Sequence, residues 1–102
     1  MKVEKVAFII KKDDCWEGIR STLGLLVENM WCAAFVVDHE MRVPASKTID
    51  DLRENLEMLV DDLEGEVYSN VQANVDNFEQ VQYMSLEDMA EKIKQYELVV
   101  PF

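Results

Sequence analysis

Two thiols and one imidazole are the side chains of this sequence best suited to nucleophilic or metal chemistry: Cys15, Cys32 and His39. Cys15 lies in "KKDDCWEG", where an apolar run ends and a helix should begin. A helix start favours a thiolate, because unpaired N–H groups and the macrodipole stabilise negative charge there, and Lys11 and Lys12 would add to that effect. Asp13, Asp14 and Glu17 oppose it, so Cys15 reads either as a working thiol or as a small packed residue at a helix start. Cys32 heads an apolar run and reads as core. The two cysteines lack the C-x-x-C spacing of a redox motif. His39 stands between Asp38 and Glu40, and with Asp13 or Asp14 it could hold a divalent cation or orient a general base. One histidine in a chain with 21 acidic residues is equally at home in a surface loop. A metal-dependent hydrolase built on Asp13, Asp14, Asp38, His39 and Glu40 is therefore the weakest reading, and no metal or other cofactor is expected. Gly18, Gly24 and Gly65 are too scattered for G-x-G-x-x-G or a P-loop, which removes those nucleotide sites.

The elements that must position these residues alternate. Val6 to Ile10 is a short apolar run of strand length. Asp14 with Glu17 resembles a capping box, and Trp16, Ile19, Leu23, Leu26, Val27 and Met30 follow at the three- and four-residue spacing of an amphipathic helix. "CAAFVV", residues 32–37, predicts a second strand. Pro44 interrupts, and a second helix follows with Ser46 or Thr48 as cap, Ile49, Leu52, Leu56, Leu59, Val60 and Leu63 as its stripe, and Gly65 as its stop. "EVYSN" predicts a third strand. Residues 71–79 read as a short helix or a loop, and "VQYM" as a fourth strand. Ser85 and Asp88 open a last helix with Leu86, Met89, Ala90, Ile93 and Tyr96 on its inner face, and "LVVPF" gives a fifth strand.

Apolar strands alternating with amphipathic helices imply an α/β protein: a three-layer α/β/α sandwich around a mostly parallel five-stranded sheet. Ligands of such sheets gather at the carboxyl ends of the strands. Lys11, Lys12, Asp13, Asp14 and Cys15 follow the first strand, Asp38 and His39 the second, and Ser69 and Asn70 the third. These residues form the expected pocket.

A chain of 102 residues, 49% hydrophobic and 30% charged, fits one domain. Its net charge of −11 repels phosphate backbones and anionic lipid heads, so neither nucleic acid nor membrane is an expected partner. Residues 46–64 carry seven carboxylates against Lys47 and Arg53, which predicts a solvated acidic face. No apolar stretch approaches the roughly 20 residues of a membrane span. "MKVEKVAFIIKKDD" lacks the pattern of a signal peptide, so the cytoplasm and free thiols are expected.

Taken in order, "VAFII", "WEGIRSTLGLLVENMWCAAFVV", "GEVYSNVQANV" and "VQYMSLEDMAEKIKQYELVVPF" resemble the DsrE/DsrF-like sulfur-relay family over nearly the whole chain. The likeness is clearest in the first helix running into "AAFVV" and in the closing helix and strand. It implies a cytoplasmic α/β/α sandwich assembled as homo- or hetero-oligomers, with other sulfur-relay proteins as partners. Sulfur-transferring members hold a persulfide on a cysteine after the third strand. Ser69 or Asn70 stands there in this chain, and neither can carry a persulfide. The resemblance therefore implies an accessory, binding or regulatory role, with a persulfide carrier using Cys15 as the alternative.

Overall fold

The computed structural model describes residues 5–11 and 15–101. Within them lies a five-stranded, all-parallel sheet of order β4-β3-β2-β1-β5, made of β1 (Lys5–Lys11), β2 (Trp31–Val37), β3 (Glu66–Ser69), β4 (Val81–Tyr83) and β5 (Leu98–Pro101). The connections are α1 (Cys15–Val27), α2 (Ile49–Leu56) with its π-helical continuation π1 (Glu57–Asp62), α3 (Gln72–Asn77) and α4 (Leu86–Ile93). From β1 to β4 each strand is added on the same side, whereas the last step returns past β1 to place β5 at the opposite edge. Crossovers of one hand must put helices on opposite faces when the direction of travel reverses. Accordingly α1, α2, π1 and α3 supply one face and α4 the other.

Strand alternation divides the core into two parts. Val6, Phe8 and Ile10 of β1, with Ala34 and Val36 of β2, meet Ile19 and Leu23 of α1, Leu52 and Leu56 of α2 and Leu59 of π1. The intervening residues Ala7, Ala33, Phe35 and Tyr68 meet Met89 of α4, with Ile93 and Tyr96 packed beside them. Phe35 is held between two tyrosines: it stacks on Tyr68 at 5.5 Å and takes Tyr96 edge-on at 6.0 Å. Both arrangements suit the ring quadrupole.

Caps and close approaches fix the ends. Thr48, not Ser46, caps α2: its hydroxyl accepts from the Asp51 N–H, and the Asp51 carboxylate accepts from the Thr48 N–H. Hydrogen bonding from the Thr48 N–H first, and then from the Thr48 side chain, holds the Asp51 carboxyl below its ordinary value. Ser85 caps α4 in the same manner, accepting from the Asp88 N–H. The expected cap at Asp14 lies outside the described residues. Gly65 does follow the second helix, but the left-handed residue is Glu64, with φ of 61°. Glycine is needed at 65 for space, since a Cβ there would stand 2.5 Å from Leu26 Cδ1 and 2.9 Å from the Leu59 carbonyl oxygen. The stripes are narrower than their periodicity predicts. Val27, the last residue of α1, is 63% exposed, and Leu86, the first of α4, is 48% exposed, with Met89 the buried residue of that helix.

Candidate functional site

At the carboxyl ends, the loop after β2 and the loop after β3 are joined by amides. Asp38, in the left-handed region with φ of 59°, donates its N–H to Asn70 Oδ1 and accepts from Asn70 Nδ2 at 2.7 Å. Asn74 lies deeper and is 1% exposed. Its Oδ1 accepts from the Met41 N–H at 2.7 Å, while its Nδ2 donates to the His39 carbonyl and to Ser69 Oγ, both at 2.9 Å. Ser69 Oγ also accepts from the Val71 N–H. The structure thus brings together Asp38, His39, Ser69 and Asn70, but as a hydrogen-bonded network between two loops and not as the lining of the expected pocket, and it adds Asn74, which sequence reasoning missed in a segment without legible periodicity. A polar residue spaced five after the strand-end serine is the only signal for it.

The geometry makes this network a latch. Ser69 is fully buried, and its oxygen already accepts two hydrogen bonds. His39 Nδ1 lies 2.8 Å from the Val37 carbonyl, which can only accept, so Nδ1 carries a proton and the ring is fixed against its own strand. The buried Nε2 has no partner among the described residues. No group of three or more His, Cys, Asp or Glu side chains able to hold a metal occurs among the described residues. Lys12, Asp13 and Asp14 lie outside them. Lys11 ends β1 and is exposed.

Cys15 does begin a helix, as the spacing predicts, but its side chain is turned inward. It is 1% exposed and belongs to the core between β1 and α1. Burial pushes its thiol from an ordinary 9.0 up to about 12, outweighing the Arg42 backbone group whose hydrogen bond acts in the opposite sense. The helix start therefore yields no thiolate near neutrality, because desolvation wins. Cys32, as expected, is also core. It is pushed up to about 11 by burial, with its sulfur 3.7 Å from the Met30 carbonyl.

Among the described residues, an open concavity lies at the other end of the sheet. A cleft of about 340 Å³ lies at the amino ends of β1, β2 and β3, between the close of α1, the close of π1 and the last turn of α4. Asn29 and Glu64, two residues in the left-handed region, turn the chain at its rim. Trp31 is 70% exposed there, with the Lys5 ammonium 5.8 Å from the centre of its ring. On the inner wall the Tyr68 hydroxyl donates to the Glu66 carboxylate, which also pairs with Lys92 at 3.5 Å. Tyr96 faces the same wall. Burial first, then the Glu66 and Cys32 charges, push its hydroxyl up to about 12, so it stays protonated as a donor. Sequence reasoning missed this cleft because Lys5 and Glu66 stand at strand starts and Lys92 and Gln95 in or just after the last helix, where polar residues are ordinary. Set against models of known families, curated proteins and solved structures, the chain matches none of them.

Proposed function

We propose that this α/β domain is a binding protein, an accessory or regulatory member of a sulfur-handling system of the DsrE-like kind, which does not carry sulfur on its own cysteine. One observation carries the reading. The thiol best placed by sequence, Cys15, is sealed in the core and raised to about 12, and the position after β3 holds the latched Ser69. A carrier needs a thiolate that its donor and acceptor can reach. The amino-end cleft supports a binding role, since it is the place where exposed aromatic, cationic and hydrogen-bonding groups converge.

The cytoplasm is the proposed location, in keeping with two free buried thiols and with the lack, among the described residues, of any helix long and apolar enough to cross a membrane. Self-association belongs to the same proposal. Five strands span about 19 Å, and a single helix covers about 10 Å of that width. On the α4 face this leaves Val99 42% exposed in register with Ala7, and Pro101 exposed beside Ile9. Light scattering should give a mass that is a multiple of 11.8 kDa; a monomer at working concentration contradicts the assembly. Exposure to polysulfide followed by intact-mass measurement tests the functional reading itself. The native protein should gain no sulfur, and loading of Cys15 without unfolding would reverse the reading in favour of a carrier.

A further inference from the structure

The cleft at the amino ends of the strands is lined by charges that are unequally committed, and this asymmetry specifies a ligand. The Glu66 carboxylate is taken twice, by the Tyr68 hydroxyl and by Lys92, and the Lys92 ammonium also stands 5.3 Å over the Tyr68 ring. Neither of these two charges is free for a ligand without breaking that set. Lys5 differs: among the described residues it makes no ion pair and meets only the Trp31 ring. The Tyr96 hydroxyl and the Trp31 indole N–H likewise make no hydrogen bond among the described residues. Among the described residues that line the cleft, donors are therefore in surplus, whereas the carboxylate other than Glu66, that of Glu64, is exposed at the rim and solvated. The apolar part of the wall comes from Leu26, Met30, Leu63 and Trp31. The net charge of −11 acts weakly here, because at physiological salt only charges within about 8 Å are felt in full.

We propose that this cleft binds a small organic anion with a planar apolar body, an aryl or heteroaryl carboxylate, whose ring lies against Trp31 and whose carboxylate is met by the Lys5 ammonium and the Tyr96 hydroxyl. The inference rests on the reading of the cleft as the protein's binding site. A carboxylate takes the spare donors, and a flat body fills a space whose open wall is an indole. An ammonium ligand would find its natural partner, Glu66, already occupied.

The test is an amide-resolved NMR titration with 2-naphthoate and, separately, with its uncharged counterpart 2-naphthamide. The acid should shift the Trp31 indole N–H and the backbone signals of Lys5, Gln95 and Tyr96, and should bind at least threefold more tightly than the amide. Lys5→Met should weaken the acid about threefold to fivefold and leave the amide unchanged, as expected for a part-exposed charge pair. Trp31→Ala should weaken both by about fivefold through loss of the ring contact. Tyr96→Phe keeps the ring against Phe35, removes only the hydroxyl, and should weaken the acid alone. Equal binding of acid and amide in the cleft overturns the ligand class but leaves the cleft as a binding site. Absence of shifts in the cleft with either probe overturns the site as well. Neither result bears on the thiols, whose failure would be seen separately as sulfur loading.

Discussion

Replacement of Asn74 tests whether the carboxyl-end network is a structural latch. The side chain makes three hydrogen bonds, to the Met41 N–H, the His39 carbonyl and Ser69 Oγ, in a position 1% exposed. Each is worth about 1 kcal/mol net, and a partner left buried and unpaired costs about 1–3 kcal/mol. The Met41 N–H and Ser69 Oγ lie in buried residues, so Asn74→Ala should destabilise by about 3 kcal/mol, allowing for partial rescue by an entering water. Unfolding entropy near 2.1 cal/mol/K per residue gives about 0.2 kcal/mol/K for 102 residues, and hence a Tm lower by about 15 °C. Urea titration should show a lower midpoint with an unchanged slope, because the latch joins two loops and not the bulk of the core. Asn74→Asp is the sharper variant. It retains the acceptor for Met41, but it turns a lone pair toward the His39 carbonyl, which cannot donate, and buries a charge. It should be worse than Asn74→Ala at pH 7 and should recover part of the loss as the introduced carboxylate is protonated in acid. A cost below about 1 kcal/mol for Asn74→Ala, or an Asn74→Asp variant no worse than it, would refute the latch.

The glycines and the thiols give independent tests. Gly24 is exposed within α1, and a Cβ there meets nothing within 4 Å, so Gly24→Ala should stabilise by about 1 kcal/mol in urea titration. Gly18→Ala should destabilise by about 1–2 kcal/mol despite the same helical gain, because its Cβ would come within 2.5 Å of Ile10 Cδ1 and Cγ1 in a fully buried side chain. Both cysteines have their folded-state thiol pKa raised above the ordinary 9.0, to about 12 and about 11. The unfolded chain therefore loses these protons first. The stability tied to the protonated thiols is complete below pH 9 and is lost as pH rises from there toward 11 and 12. Cys15→Ala should flatten that alkaline decline, and an unchanged slope in unfolding followed from pH 8 to 11 would contradict the burial of its thiol.

What the sequence made legible follows from how local each signal is. Strand positions were readable because Val6–Ile10, Cys32–Val37 and the later apolar runs need only length and composition, whereas the order of the strands in the sheet rests on long-range pairing that no local run announces. The cap at Ser85 was readable, and that of α2 was narrowed to Ser46 or Thr48, because a capping bond spans three residues. The continuation of α2 as π1 was not readable, since Leu56, Leu59, Val60 and Leu63 satisfy α-helical spacing. The carboxyl-end cluster of Asp38, His39, Ser69 and Asn70 was legible from topology alone. Its purpose was not, because Asn74 satisfies it from a short helix that no periodicity announces. For Cys15 the sequence located the helix start but not the direction of the side chain. A helix start lowers a thiol pKa only where water or a counter-charge can reach the sulfur, and in this fold Cys15 points into the core.

The most direct test of the central claim is the rate of Cys15 alkylation in the native protein, followed by peptide mapping from pH 6 to 10 beside the urea-unfolded chain. A thiol raised from 9.0 to about 12 holds about a thousandfold less thiolate near neutrality, and burial slows it further. Cys15 should therefore react at least about a thousandfold more slowly in the native state than in urea, with no inflection below pH 10. A native Cys15 that alkylates readily at pH 7, with an inflection below the ordinary thiol value, would contradict the account and make this protein a thiol carrier.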